Sequence, residues 1–209
     1  MATLESMLAS ADQSVRLKAA LAAGTYPQLG FIEILISQCQ HEPDFFVRDT
    51  LSWALMRQDR EAVMEKLIPE LASPVAQARS QAVHTLSKIG DKKNYPLISN
   101  ELLLDQEDSV ASTAWRAASV LVPEEAKSAL VAVLVTQLGR GDSDTQFALT
   151  RFLCAIGDAI LEPLQEAAKS ENDVIRVQAE FTVMRYQEMK LEGMKTVGGE
   201  GFEPPTSSV

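Results

Sequence analysis

The chain has 209 residues and a formal net charge of −10, which argues against a protein that coats nucleic acid with its whole surface. Its longest uninterrupted apolar run, residues 129–135, is far shorter than the ~20 residues of a membrane span, so we expect no membrane association. The N-terminus lacks a secretory signal pattern, and the two cysteines, Cys39 and Cys154, form no CxxC pair. We therefore expect a cytoplasmic protein without disulfides.

Alanine and leucine are abundant, aromatic residues make up only 6%, and apolar residues recur with helical spacing, all of which favours helices. The candidate helices come in six consecutive pairs. In chain order the pairs are 3–10 with 15–24, 30–40 with 47–55, 60–73 with 78–90, 95–104 with 110–121, 124–139 with 145–157, and 159–170 with 175–183.

The second helix of each pair repeats one pattern. It starts at a small or branched anchor residue, usually followed by Arg, and apolar residues come four and eight positions later, on one helical face. The anchors are Val15, Val47, Ala78, Val110, Thr145 and Ile175, which lie 32, 31, 32, 35 and 30 residues apart. Such regular spacing indicates an internal repeat.

Local signals mark the ends of these second helices. Three residues before each anchor comes a polar residue that can accept from free backbone amides, except that Val75 stands there in the third pair. The expected N-caps are Asp12, Asp44, Glu107, Asp142 and Asn172. Gly90 and Gly157 each follow an Ile and are predicted to close their helices in the left-handed conformation.

The pattern resembles the HEAT-repeat family, specifically the short HEAT-like repeats of phycobilin lyases. Residues 65–90, EKLIPELASPVAQARSQAVHTLSKIG, match best, and residues 3–190 can be threaded onto the pattern. The resemblance implies an all-α fold, a right-handed α-solenoid of about six helix–turn–helix repeats over residues 1–190. It also implies that the second helices line a concave groove and that the first helices form the convex side.

The residues after Lys190 break the pattern, and we predict a disordered tail over 191–209. The run GGEGFEPPTSSV, residues 198–209, is rich in Gly and Pro and poor in apolar residues. Its Gly-Phe-Glu-Pro stretch can be encoded by the strand opposite a conserved arm of a transfer RNA gene. We interpret the tail as read-through into an antisense tRNA gene, and a docking peptide anchored by Phe202 is the alternative.

Two groups of basic residues lie on the second helices. Arg16, Arg48, Arg79 and Arg176 directly follow anchors, and the resemblance implies that they pair with acidic cap residues of their own or a neighbouring unit. The others fall mainly six or ten residues past an anchor, where aromatic residues also occur. The candidate partner-binding residues of the groove are Trp53, Arg57, His84, Lys88, Arg116 and Arg151.

Basic groups interleaved with aromatic rings suit a phosphate, a carboxylate-rich peptide or a nucleic-acid strand, and ordinary solvated side chains are the alternative interpretation. His84 and Trp53 are expected to be exposed in the groove. Trp115, five residues past its anchor, is expected in the core, and both cysteines are expected to be buried. His84 has no second histidine nearby, so no metal site is predicted.

No sequence motif indicates catalysis. The chain has no P-loop, nucleophile elbow or Gly-rich dinucleotide turn, and it has a single His-Glu dipeptide, at residues 41–42, where di-iron HEAT-like hydroxylases have several. We predict no catalytic residue, metal or cofactor. The expected function is a monomeric, non-enzymatic scaffold that binds an acidic protein or peptide. The alternative is a nucleic-acid-binding or base-processing protein resembling the HEAT-like alkylpurine DNA glycosylases, which are strongly basic.

Overall fold

The computed structural model describes the backbone of residues 3–198 and the side chains of residues 3–192, and this part of the chain is all-helical without a β-strand. The predicted all-α class is confirmed. The α-helices are α1 (Leu4–Leu8), α2 (Gln13–Thr25), α3 (Phe31–Cys39), α4 (Phe45–Met56), α5 (Arg60–Leu67), α6 (Ala76–Ile89), α7 (Asn100–Leu103), α8 (Asp108–Leu121), α9 (Lys127–Val135), α10 (Ser143–Ile156), α11 (Leu161–Ala167) and α12 (Asp173–Gly198). Short 3-10 helices occupy Ile68–Ala72, Lys92–Leu97, Glu124–Ala126 and Asp158–Ile160.

The even-numbered helices pack against one another in chain order, from α2 through α4, α6, α8 and α10 to α12. Among the odd-numbered helices, α1 contacts α3, α3 contacts α5, α7 contacts α9, and α9 contacts α11. Each of the helices α4, α6, α8 and α10 therefore contacts both the preceding and the following even-numbered helix.

The core consists of two clusters of buried apolar side chains. One joins α1 to α5 and the other joins α5 to α12, and Ile89 at the end of α6 packs against both. Trp115 is fully buried in the second cluster, as predicted, and its indole N–H donates to the Leu103 carbonyl at 2.8 Å. Cys39 and Cys154 are also buried, as predicted.

The predicted N-caps are confirmed at most positions. The side chains of Asp12, Asp44, Asp142 and Asn172 accept from backbone amides of the first turn, whereas Glu107 occupies the N-cap position without accepting. The side chain that caps α2, for example, lies 2.8 Å from the Ser14 amide. These contacts satisfy amides that the helix itself leaves free.

The two closing glycines differ. Gly90 has φ 70° and ψ 14°, which is the predicted left-handed cap. Gly157 has φ 100° and ψ −157°, so the prediction of a left-handed cap is wrong there. This region of backbone space is open almost only to glycine, and it turns the chain directly into the 3-10 helix Asp158–Ile160.

The last helix is longer than predicted. α12 runs to Gly198, so the expected helix end near Lys190 is wrong. The intervening residues include several good helix formers and no proline, and the single Gly193 costs a helix only about 1 kcal/mol relative to Ala. Residues 199–209, with the predictions of a disordered tail and of tRNA-gene read-through, lie outside the described residues.

Candidate binding surface

The anchor-following arginines hold the turns between paired helices. Arg16 Nε and Nη2 each lie 2.8 Å from a carboxylate oxygen of Glu42, and its Nη1 donates to the carbonyls of Ser10 and Ala11 at 3.0 and 3.1 Å. Arg79 repeats this arrangement, with Asp105 as its acid and the Ser73 carbonyl as its acceptor at 2.8 Å. Both acids lie in the turn before the next even-numbered helix rather than at an N-cap.

Arg48 and Arg176 share only part of this arrangement. Arg48 donates to the carbonyls of Glu42 and Pro43 at 2.9 and 2.7 Å and has no carboxylate partner among the described residues. Arg176 contacts Asp173 in its own first turn and donates to the Ser170 carbonyl at 3.2 Å. The predicted acidic partner is therefore wrong for Arg48. All four arginines donate to the backbone carbonyl six residues earlier, a contact that was not predicted from the sequence.

A charged cluster runs across α4, α6, α8 and α10. We define it as Asp49, His84, Lys88, Arg116 and Arg151. Lys88 Nζ lies 2.5 Å from Asp49 Oδ1, and His84 Nε2 lies 3.5 Å from the same oxygen. Arg116 Nη2 lies 2.8 Å from His84 Nδ1. Because a guanidinium can only donate, Nδ1 acts as the acceptor and the imidazole proton resides on Nε2, facing Asp49.

The surroundings of His84 favour its neutral form. Burial lowers the pKa of His84, the positive charges of Arg116 and Lys88 lower it further, and Asp49 opposes them. Its side chain is only 18% exposed, so the prediction of an exposed histidine is wrong. The hydrogen bond from Lys88 lowers the pKa of Asp49, which keeps this carboxylate charged and bound to the lysine.

The arginine end of the cluster lacks an acid of its own. Burial lowers the pKa of Arg116 and the neighbouring positive charge of Arg151 lowers it further, whereas the negative charge of Asp49 opposes both without contacting the guanidinium. Arg151 is exposed, and its guanidinium carbon lies 4.8 Å from the centre of the Phe152 ring. Within the described residues, neither arginine forms an ion pair with a carboxylate.

Two of the predicted site residues stand apart from this cluster. Trp53 is partly buried, because its ring lies against Gly24 of α2 where a β-carbon would overlap it, so the prediction of an exposed Trp53 is wrong. Arg57 is exposed at the end of α4. In the described part of the chain, no hydrogen bond, ion pair or ring contact joins either residue to the charged cluster.

An apolar pocket that was not predicted from the sequence lies between α10 and α12. It has a volume of about 500 Å³, and we define it by Phe147, Val174, Val177 and Phe181, which line it together with Thr150 and several polar side chains. Phe147 and Phe181 meet edge to face, with ring centres 5.8 Å apart. Among these, only Phe181 falls in the sequence column six residues past the anchors. The column two residues past them, which contains Phe147 and Val177, was the signal that could have found the pocket.

Neither a metal site nor a reactive cysteine is found in the described part. Residues 3–192 hold no group of three or more His, Cys, Asp or Glu side chains that could bind a metal ion, and no described helix is long and apolar enough to cross a membrane. Burial raises the pKa of Cys39 to about 12, so its thiol stays protonated and is a poor nucleophile.

No protein-family model matches the chain, and no curated protein matches it with significant sequence similarity.

Proposed function

We propose that the helix pairs are about six HEAT-like repeats stacked as a right-handed α-solenoid, with the even-numbered helices along its concave face. The regular anchor spacing and the chain-order packing of α2 to α12 support this proposal. The arginine-to-carbonyl contact supports it as well, because it recurs with the same spacing in the first, second, third and last pairs.

We further propose that the protein is a non-enzymatic scaffold whose charged cluster binds an acidic segment of a partner protein. The observation that carries this proposal is that Arg116 and Arg151 are neighbours and that neither contacts a carboxylate among the described residues. Among the described residues, the Arg116 side chain hydrogen-bonds only to the neutral His84, and Arg151 forms no ion pair. Two adjacent guanidinium groups that contact no carboxylate, in a chain of net charge −10, form a site that a ligand carboxylate would complete by strong bidentate bonds.

The number of available cations favours a short peptide over a nucleic acid. Lys88 is already bound to Asp49, so the cluster offers Arg116 and Arg151 to a ligand, with Arg57 further along α4. A nucleic-acid surface commonly neutralises several phosphates, and the negative charge elsewhere on the chain would repel the rest of a long strand. Two or three carboxylates on one segment match the site better. We propose that the protein acts as a monomer in the cytoplasm.

Fluorescence anisotropy tests this choice with two labelled probes. One is a short peptide of alternating glutamate and serine, and the other is a single-stranded DNA of equal charge. We expect the peptide to bind more tightly than the DNA and to weaken as salt is added, because exposed charge interactions are screened. Tighter binding of the DNA would favour the nucleic-acid alternative, and failure of the peptide to bind would reject the proposed function.

A further inference from the structure

The apolar pocket continues the surface of the charged cluster. Phe147 lines the pocket and stands four residues before Arg151, one turn away on the same side of α10, while Phe181 occupies the position of α12 equivalent to Arg151, six residues past its anchor. Phe147 and Val177 are 58% and 57% exposed. A ligand lying on Arg116 and Arg151 therefore has an apolar cavity within about one helical turn, ~5.4 Å along the helix axis.

Four apolar residues of α12 lie outside the hydrophobic core. Val174, Val177, Phe181 and Met184 recur at intervals of three and four residues and form one stripe, and each is partly or largely exposed. The core-facing side of the same helix is built from different residues, namely Ile175, Ala179, Val183 and Tyr186. Contiguous exposed apolar surface of this kind is typical of an interaction site.

From this arrangement we infer that the partner segment carries a large apolar side chain that inserts into the pocket while neighbouring carboxylates bind Arg116 and Arg151. This inference rests on the proposed function and specifies its ligand. A volume of about 500 Å³ accommodates an aromatic ring or a pair of aliphatic side chains. Burial of an apolar anchor adds affinity, and the arginines add charge recognition.

Charge around the pocket also sets the direction of the bound segment. Arg151 lies in the third turn of α10, whereas Asp142 and Asp144 lie at the N-terminal end of α10 and Asp173 at that of α12. Carboxylates of the ligand are attracted to Arg151 and repelled from these N-terminal ends. The acidic residues of the segment therefore lie on the Arg151 side of its apolar anchor, away from the first turns of α10 and α12.

A separate partner is the occupant that we propose for this pocket, because two guanidinium groups that contact no described carboxylate adjoin it in a chain of net charge −10.

Three fluorescein-labelled peptides test the inference by anisotropy. The first alternates glutamate and serine and contains one central phenylalanine, the second has serine in place of that phenylalanine, and the third has lysine in place of every glutamate. We expect the phenylalanine peptide to bind about tenfold more tightly than its serine counterpart, in line with burial of one apolar side chain. We expect the lysine peptide not to bind.

Matched variants locate the effect on the protein. Phe147→Ser/Val177→Ser should abolish the tenfold preference for phenylalanine while leaving the affinity for the serine peptide unchanged. Val120→Ser alters a valine on α8 that is 56% exposed, and this control should retain the preference.

Three results would overturn the inference. Equal binding of the phenylalanine and serine peptides would reject the apolar anchor and leave the acidic-peptide function standing. Binding of neither acidic peptide would reject both. Sedimentation velocity distinguishes a further occupant: a dimer of the free protein that Phe147→Ser/Val177→Ser dissociates would show that a second copy fills the pocket.

Discussion

Arg16 and Glu42 form a buried, bidentate ion pair that joins α2 to the turn before α4. Both contacts are 2.8 Å, and the carboxylate is fully buried while the arginine side chain is 11% exposed. The same carboxylate accepts from Gln38 Nε2 at 2.9 Å and from the Asp44 amide at 3.0 Å. Burial alone would raise the pKa of Glu42, but these hydrogen bonds outweigh it, so the pKa is lowered and the carboxylate stays charged.

Glu42→Ala is predicted to destabilise the protein by about 3–5 kcal/mol, because it leaves the Arg16 guanidinium buried without its counter-charge. Urea unfolding followed by circular dichroism measures the loss in free energy of unfolding. The control is Glu188→Ala, which removes the partner of Arg185 from an exposed pair and should cost less than about 1 kcal/mol. A loss for Glu42→Ala no larger than that of the control would show that the pair does not hold the first two repeats together.

We predict that the free energy of unfolding falls at mildly acidic pH because His84 becomes protonated. Its pKa is lowered in the folded protein, so the unfolded chain takes up a proton first, at about pH 6.5. The stabilising contribution of neutral His84 is thus fully present above that pH and is lost as the pH drops through the folded-state pKa. The groups that face the ring are Asp49, Lys88 and Arg116.

Melting temperatures at about pH 7.5 and about pH 5.5 test this contribution, since the two values bracket the ordinary histidine pKa. We expect His84→Gln to reduce the difference between the two temperatures and His41→Gln, in the exposed turn after α3, to keep it. The same difference in wild type and His84→Gln would mean that the network around His84 does not resist protonation.

Gly24→Ala is predicted to destabilise the protein by about 1–3 kcal/mol, because the new methyl group overlaps the Trp53 ring and forces it to move. Thermal unfolding measures the loss, and tryptophan fluorescence reports the displaced ring. Gly30→Ala is the matched control, since a β-carbon there meets no atom within 4 Å. Similar stabilities of the two variants would show that the Trp53 ring is not packed tightly against Gly24.

Helical periodicity and capping residues made the paired helices predictable. Apolar residues at intervals of four identify a helical face, and side chains such as Asp44 and Asp142 mark its start by their own chemistry. These are local properties, so a single sequence contains them. The end of α12 was placed too early because the repeat pattern stops near Lys190, although good helix formers continue beyond it.

The site was harder to predict, because it depends on contacts between helices. Trp53 lies six residues past its anchor, as expected, but the absence of a side chain at Gly24 on the neighbouring helix leaves room for its ring, which packs there. His84 was expected to face a ligand, yet Arg116 and Asp49 enclose it. Neither arrangement follows from spacing along one helix. The repeat register did place Arg116 and Arg151 at equivalent positions of α8 and α10, and these two helices pack against each other.

The central claim is that the guanidinium groups of Arg116 and Arg151 bind carboxylates of a partner. Arg116→Gln/Arg151→Gln removes both charges, and Lys92→Gln/Lys93→Gln removes two exposed charges from the 3-10 helix Lys92–Leu97 as a control. We expect both variants to melt near the wild-type temperature. Burial and the charge of Arg151 already disfavour the cation at position 116, so its loss should not destabilise the fold.

The deciding measurement is the dissociation constant of the labelled glutamate–serine peptide for these two variants and the wild type. Losing two charge-assisted hydrogen-bonding groups should weaken binding about tenfold to a hundredfold in Arg116→Gln/Arg151→Gln, while Lys92→Gln/Lys93→Gln binds as the wild type does. Wild-type affinity in the arginine variant, or an equal loss in both variants, would contradict the assignment of this site.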